Sequence, residues 1–407
     1  VLSAYSELLR VPGAWRFSLA GFVLRLPMSM MGISTILLVK ASYGNYTLAG
    51  AVAAVAIVST AVVAPTLARL VDQSGQLKVM GPALTVSALS AVGLLVASAN
   101  RAPIPLVIVF AALGGATWGS PGALVRSRWA RVVANPRQLT SAYALESALD
   151  EFIYILGPVL STMLGTSVHP GAGIALSAVF LALGGTAFLG QRSSEPPPQP
   201  RADGVRSHSV ILQPVVLVMA LTYVGAGALF GANDVAVVEF TAERGAPALS
   251  GVLLAVSSFG SLVAALVYGA RVWRLDLWRL YAIGVVALGI GVAPFLLADS
   301  LQVMAGAMLI MGMACAPTMT NVNMIIAKVV PRTQLTEGLT WMSTSMNLDV
   351  SIGSVLAGPA VDAGGAWGGY LVVVGAAWVM VVLMVAGLGH LRRGTEDASP
   401  PRLPSGG

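Results

Sequence analysis

RVVANPRQLTSAYALESALDEFIYILGPVL, residues 131–160, aligns with KVVPRTQLTEGLTWMSTSMNLDVSIGSVL, residues 328–356, once one residue near the proline is dropped. Gln138-Leu139-Thr140 matches Gln334-Leu335-Thr336, and Gly157 matches Gly353. The likeness runs through a polar loop as well as an apolar stretch, so it is read as true repetition. Internal repeats of this kind are a signature of chains built from two related membrane-embedded halves.

The composition agrees. Of 407 residues, 56% are hydrophobic and 10% charged, with a mean hydropathy of +0.82. Soluble domains carry about 25% charged residues, and a globule in water could not hide this much apolar surface. The chain reads as an all-α integral membrane protein. Breaking it at charged, Pro/Gly/Ser-rich or Asn-containing segments gives twelve candidate spans, each near the roughly 20 residues that cross a bilayer. They fall at 14–38, 46–70, 79–98, 104–126, 139–165, 171–190, 211–238, 247–270, 279–298, 301–327, 336–361 and 367–390.

The basic residues test this division. With both ends in the cytoplasm, Lys40, Arg101 and Arg244 fall outside, Arg25 lies within a span, and the other nineteen of the 23 lie inside. The positive-inside rule requires such a bias, and a miscounted helix would scramble it. The net charge of +6 is therefore topological and does not imply nucleic acid. The single cysteine, Cys315, and three scattered histidines offer no metal site, and no cofactor is expected. Residues 3–15 read as an amphipathic segment with no cleavable signal. Residues 1–190 are expected to form one six-helix bundle and 210–393 a second. Residues 191–209, which include EPPPQP, read as a cytoplasmic linker, and 394–407 as a disordered tail.

Two six-helix halves joined by a cytoplasmic linker resemble the major facilitator superfamily. The loop ARLVDQSGQLK, residues 68–78, is similar to that family's Gly-x-Leu-x-Asp-Arg-x-Gly-Arg-Lys motif. Asp72 and Gly75 are kept, while Ala68 replaces the first glycine and Gln73 and Gln76 replace both arginines. RSRWARVV with AYALESALDEFIYILGP, and FGANDVAVVEFTAERGAPALSG at 230–251, resemble efflux permeases common in actinobacteria, which implies a bacterial inner membrane. The resemblance implies alternating access around a central cavity bordered by helices 1 and 5.

Three acids inside span 5 then need a reason. Asp150 and Glu151 lie about 16 and 18 Å from its inner end, and Glu146 about 10 Å, sharing a face with Asp150. Each costs about 2.5–3.5 kcal/mol on insertion scales unless paired or protonated. Arg25 on span 1 is also about 16 Å deep, so an Arg25–Asp150 or Arg25–Glu151 pair is expected, either as a structural ion pair or as a proton-exchanging, substrate-contacting site. The repeat partners of the three acids are Met342, Met346 and Asn347, so the architecture alone does not demand acids there. Asp72, Gly75, Arg126 and Glu146 are candidates for an inner gate. Arg128 reads as a plain positive-inside residue.

Met31, Trp118, Tyr154, Tyr223, Asp234, Trp341, Met346, Asn347 and Asp349 are cavity candidates. Asn321 and Asn323 read as interhelical hydrogen-bonders. Flexible thioethers beside aromatics suit an amphiphilic solute.

The leading expectation is a monomeric secondary transporter, embedded among lipids and coupled to protons, that exports an amphiphilic or drug-like small molecule. The same fold importing a sugar or organic acid is the alternative. A non-transporting receptor or scaffold is a reading of another class. An ATP-driven pump is disfavoured because no GxxxxGK[ST] run occurs, and an intramembrane enzyme because no catalytic constellation stands out.

Overall fold

The computed structural model describes residues 2–198, 209–246 and 249–397. A short helix α1 (Leu2–Leu9) precedes α2 (Ala14–Arg25), α3 (Pro27–Tyr43), α4 (Tyr46–Ser74), α5 (Gln76–Ala99), α6 (Ile104–Trp118), α7 (Pro121–Val132), α8 (Pro136–Ser167) and α9 (Ala172–Leu189). After the linker come α10 (Pro214–Glu243), α11 (Ser250–Ala270), α12 (Leu277–Gly291), α13 (Leu301–Val329) and α14 (Leu335–Asp397). Among the described residues, eleven helical stretches are long and apolar enough to cross a membrane, and the last holds two spans. Gly364 and Gly365 break α14, Gly365 with φ of 60°, which brings the number to twelve.

Two spans expected as continuous are interrupted. The first divides at Leu26, because Pro27 has no N–H to give, and Leu26 N is shared between the carbonyls of Phe22 and Val23. The fourth divides at Gly119-Ser120: Gly119 takes φ 69° and ψ −142°, a conformation only glycine holds easily, and Pro121 starts the next helix. It then runs on to Val132, beyond the expected end at 126. Helix α14 likewise continues to Asp397, past the Gly394 where the tail was expected to begin. The tail from 398 and the linker residues 199–208 lie outside the described residues.

The surface is apolar where a water-soluble protein would be polar. Val62, Leu89, Leu183, Ile290 and Val355 are all more than half exposed, a pattern only lipid would cover. Close helix contacts rest on small residues. A β-carbon at Gly157 would collide with Ser29 on α3, and one at Gly353 with the carbonyl of Ala228 on α10. The glycines matched in the repeat thus each seat the repeated helix, α8 or α14, on another helix of its own half.

The contacts divide the chain into two compact units. One comprises residues 6–134 with 149–205, the other 1–5, 135–148 and 206–407. The boundary passes through α8, whose first half belongs to the second unit. There Ser141 Oγ donates to the Gly269 carbonyl, and Ala148 packs with Ala265 and Ala316. Tyr5 OH donates to the Leu266 carbonyl at 2.8 Å.

Candidate functional site

The first unit brings three charged side chains from three helices together. Arg25, in the last turn of α2 and 1% exposed, donates from Nη1 to Asp150 Oδ1 on α8 at 2.6 Å. Arg126 on α7 donates from Nη2 to Asp150 Oδ2 at 2.8 Å. One carboxylate thus holds two guanidinium groups, one per oxygen. Arg25 is aimed by Nε–H, which donates to the Gly21 carbonyl at 3.1 Å.

Glycine makes the approach possible. A β-carbon at Gly21 would collide with Val125, and one at Gly122 would lie 3.1 Å from Arg126 Nη1 and 4.0 Å from Arg25 Cδ. Both arginines also flank the helix interruptions: Arg25 precedes the Leu26-Pro27 break, and Arg126 follows the Gly119-Ser120 break by two turns. Helix ends carry unsatisfied backbone groups, so this layer is polar in backbone as well as side chain. Charges so placed are stable only while paired. Arg126, read from the sequence as an inner-gate residue, therefore lies at Asp150. Glu151 is half-buried and Tyr154 exposed on the same helix, while Glu146 is fully buried on the part of α8 that belongs to the second unit.

Arg128, read from the sequence as a plain positive-inside residue, also has a packing role. It is no solvated surface charge but 0% exposed. Its Nε–H donates to Gln76 Oε1 at 2.7 Å, and Nη1 donates to the Gln191 carbonyl and Ser194 Oγ at 2.8 and 3.0 Å. The guanidinium lies over the Phe188 ring, 3.9 Å from its centroid. Gln76, which stands where the family motif has an arginine, donates in turn to the Leu124 carbonyl and Ser127. Glu195 from the linker accepts the N–H of Leu77 at the start of α5 at 3.0 Å. Gly75, with φ of 95°, joins α4 to α5 there, and Asp72 is half-buried nearby in the chain. The linker's first residues are thus clamped onto this loop, an arrangement the sequence did not disclose.

In the second unit the cavity candidates are spread along α10 and α14. Tyr223 is buried, with its hydroxyl 3.0 Å from Met319 S. Trp341 is half-buried and donates to Ser209 Oγ at 3.3 Å. Asp234 and Asn347 are exposed and Met346 half-buried. Asp349 is 4% exposed, and its Oδ2 has no hydrogen-bond partner. Asn321 accepts from Tyr268 OH on α11 at 2.6 Å, an interhelical bond as expected, whereas Asn323 donates to the Met319 carbonyl of its own helix at 3.0 Å and not across to another. Most of the methionines pack the interior: Met30, Met304, Met308, Met311 and Met342 are at most 2% exposed. Met31 and Trp118, in the first unit, are half-buried. Among the described residues no group of three or more His, Cys, Asp or Glu could hold a metal ion.

A sequence profile of the Major Facilitator Superfamily matches residues 17–240 and again 215–405. No curated protein matches the chain. Among solved structures, a bacterial homologue of the iron transporter ferroportin in an outward-facing state superposes with a TM-score of 0.74 at 13% identity, over 92% of this chain and 98% of that one. The human organic anion transporter MFSD10 (TETRAN) superposes with a TM-score of 0.67 at 15% identity, over 91% and 97%. At these identities the likeness is one of fold.

Proposed function

The chain belongs to the Major Facilitator Superfamily, and on that premise we propose that it exports a small amphiphilic solute by alternating access, driven by protons. It is a multi-pass membrane transporter by family and by its apolar helices. Export and the proton are our reading, as are a bacterial inner membrane, cytoplasmic termini and a monomeric state.

The observation that carries the reading is Asp150 held between Arg25 and Arg126. The family folds around a central solute path, and this cluster draws one side chain from each of spans 1, 4 and 5 of the first half. Such a cluster has two arrangements. With no solute, the three charges satisfy one another. A cationic group on the solute competes for Asp150 and frees an arginine, so occupancy changes how spans 1 and 4 are tied to span 5. That difference in contacts is what a ligand needs to shift a conformational equilibrium.

One observation favours a second reading. Two guanidinium groups converging on one point also suit a solute carboxylate, bidentate recognition being the strength of arginine. On that reading the cargo is an organic anion, and the fold works in uptake. The MFSD10 neighbour, an organic anion transporter, is compatible with such a cargo.

The test is flux into liposomes holding a pH-sensitive dye, with lipophilic cations, organic acids and sugars offered in turn. Cation-triggered proton movement through the wild type, lost in Asp150→Asn, supports export. Movement with organic acids alone supports the second reading.

A further inference from the structure

Asp349 is the one acid buried at a helix crossing whose carboxylate oxygen, among the described residues, meets no donor. It lies fourteen residues beyond Leu335 on α14, about 21 Å along a helix rising 1.5 Å per residue, and so deep within an apolar layer about 30 Å thick. It is 4% exposed, and Oδ2 is buried without a hydrogen-bond partner.

The two helices cross in close backbone contact beside the acid. A β-carbon at Gly227 on α10 would lie 2.5 Å from Asp349 Cβ, 2.7 Å from the Met346 carbonyl oxygen and 2.9 Å from Val350 N. One turn on, Ser354 Oγ donates to the Gly231 carbonyl at 3.1 Å, and Gly353 sits against the Ala228 backbone. Backbone therefore faces backbone on both sides of the acid.

No described ion pair reaches Asp349. On the elements packed against α14 the ionisable groups are Tyr223, Asp234, Glu239 and Glu243 of α10, Arg279 and Tyr281 of α12, Cys315 and Lys328 of α13, and Arg332 of the turn just before α14. Of these, only Arg279, Lys328 and Arg332 are basic. All three lie at or beside a helix end, on the side where α14 begins, and the acid is about 21 Å further along that helix. A bare carboxylate here would be dehydrated with no counter-charge, a state membrane interiors penalise heavily. A carboxylic acid carries no charge and fits.

The repeat shows that packing does not require the acid. By the alignment that pairs Gly157 with Gly353, the first-half counterpart of Asp349 is Ile153, 0% exposed in an apolar cluster with Leu26 and Met30. An aliphatic side chain completes that crossing. The second half spends a carboxyl group at the same place.

We propose that Asp349 binds the proton that drives transport, and that its loss parts α10 from α14. The proton adds from water to a carboxylate oxygen, giving the neutral acid that the closed crossing accommodates. On leaving to water it creates a charge that must draw solvent into the crossing. Proton occupancy and helix packing are thereby tied together. That this proton drives transport rests on the proton-coupled function proposed above, while proton binding at Asp349 stands on the crossing itself.

The test is infrared difference spectroscopy of the full chain in lipid bilayers, cycled between acid and alkaline buffer. Wild type is expected to show a protonated-carboxyl band that titrates, retained in Asp150→Asn and missing in Asp349→Asn and Asp349→Ile. Both Asp349 variants should fold, asparagine because it copies the shape of the neutral acid and isoleucine because the first half uses it. A band unchanged in both overturns the proposal. In parallel, ethidium and tetraphenylphosphonium flux driven by an imposed pH gradient should fall in Asp349→Asn to the level of protein-free liposomes. An Asp349-dependent band with no gradient-driven flux of either probe in wild type counts against proton-coupled export and keeps the proton on Asp349.

Discussion

Arg25 and Asp150 lie 125 residues apart in the chain and meet at 2.6 Å, inside a membrane-spanning bundle. Asp150→Ala takes from two buried arginines the carboxylate they share, a kind of break that costs about 3–5 kcal/mol in buried pairs, while Arg25→Ala leaves Asp150 its second partner, Arg126, and costs less. Arg25→Ala and Asp150→Ala are each expected to lower the Tm of the purified protein. The double variant should lose clearly less than the two single losses added together, since partners in contact are not additive. Full additivity in thermal unfolding would mean that the two charges do not depend on each other.

The two matched glycines should not be equally sensitive. At Gly353 an added methyl meets the Ala228 backbone, which cannot move without separating α10 from α14. At Gly157 the nearest atom is the Ser29 hydroxyl, which can turn away by giving up its bond to the Ile153 carbonyl, leaving Ser29 Cβ at 2.8 Å to be displaced, a smaller shift than a backbone carbonyl demands. Overpacking costs about 1–3 kcal/mol, so Gly353→Ala should fall at or above the top of that range and Gly157→Ala below it. Tm values of the two variants, measured side by side, check the order.

Arg128, on α7, ties the linker to Gln76 at the start of the third span. Arg128→Lys keeps the charge but cannot serve Gln76, Gln191 and Ser194 with one planar fork. Each buried partner left unsatisfied costs about 1–3 kcal/mol. Limited proteolysis should then cut after Gln191 faster in Arg128→Lys and in Glu195→Ala than in wild type. Unchanged cleavage in both would show that the clamp does not hold the linker.

Tyr5 gives a prediction in pH. Burial pushes its phenol from 10.0 up to about 12, so the neutral form is favoured in the folded chain. Its contribution is therefore complete below pH 10 and fades as pH rises from 10 to about 12, because the unfolded chain ionises first. Tyr5→Phe removes the bond to the Leu266 carbonyl, a loss of about 1 kcal/mol. It should also flatten the stability profile across that window, as read by thermal unfolding at stepped pH.

Much of the architecture was legible because a membrane simplifies the code. Spans need length and apolarity, and the repeat around Gly157 and Gly353 marks the helix that each half reuses. The depth of Arg25 could be matched to that of Asp150 by counting residues, which is why their meeting could be expected. Arg126 could not be matched in this way. Its depth depends on the break at Gly119-Ser120, and although Gly-Ser-Pro is a breaker signal, an apolar run on either side hid it. The Arg128 clamp was hidden for another reason. Arginine near a helix end satisfies the positive-inside rule whether it faces water or Gln76, and only tertiary packing separates the two. Asp349 was visible as a deep acid, but that its oxygen lacks a donor is a property of the crossing with Gly227.

The central claim is that the Arg25–Asp150–Arg126 cluster handles the solute. Its most direct test is flux in liposomes carrying an internal pH dye, with lipophilic cations applied to wild type and to Asp150→Asn of matched folding and insertion. Solute-triggered proton movement is expected in wild type and none in the variant. Equal movement in both, with the same compound and the same pH profile, would contradict it and leave the cluster a structural tie among three helices.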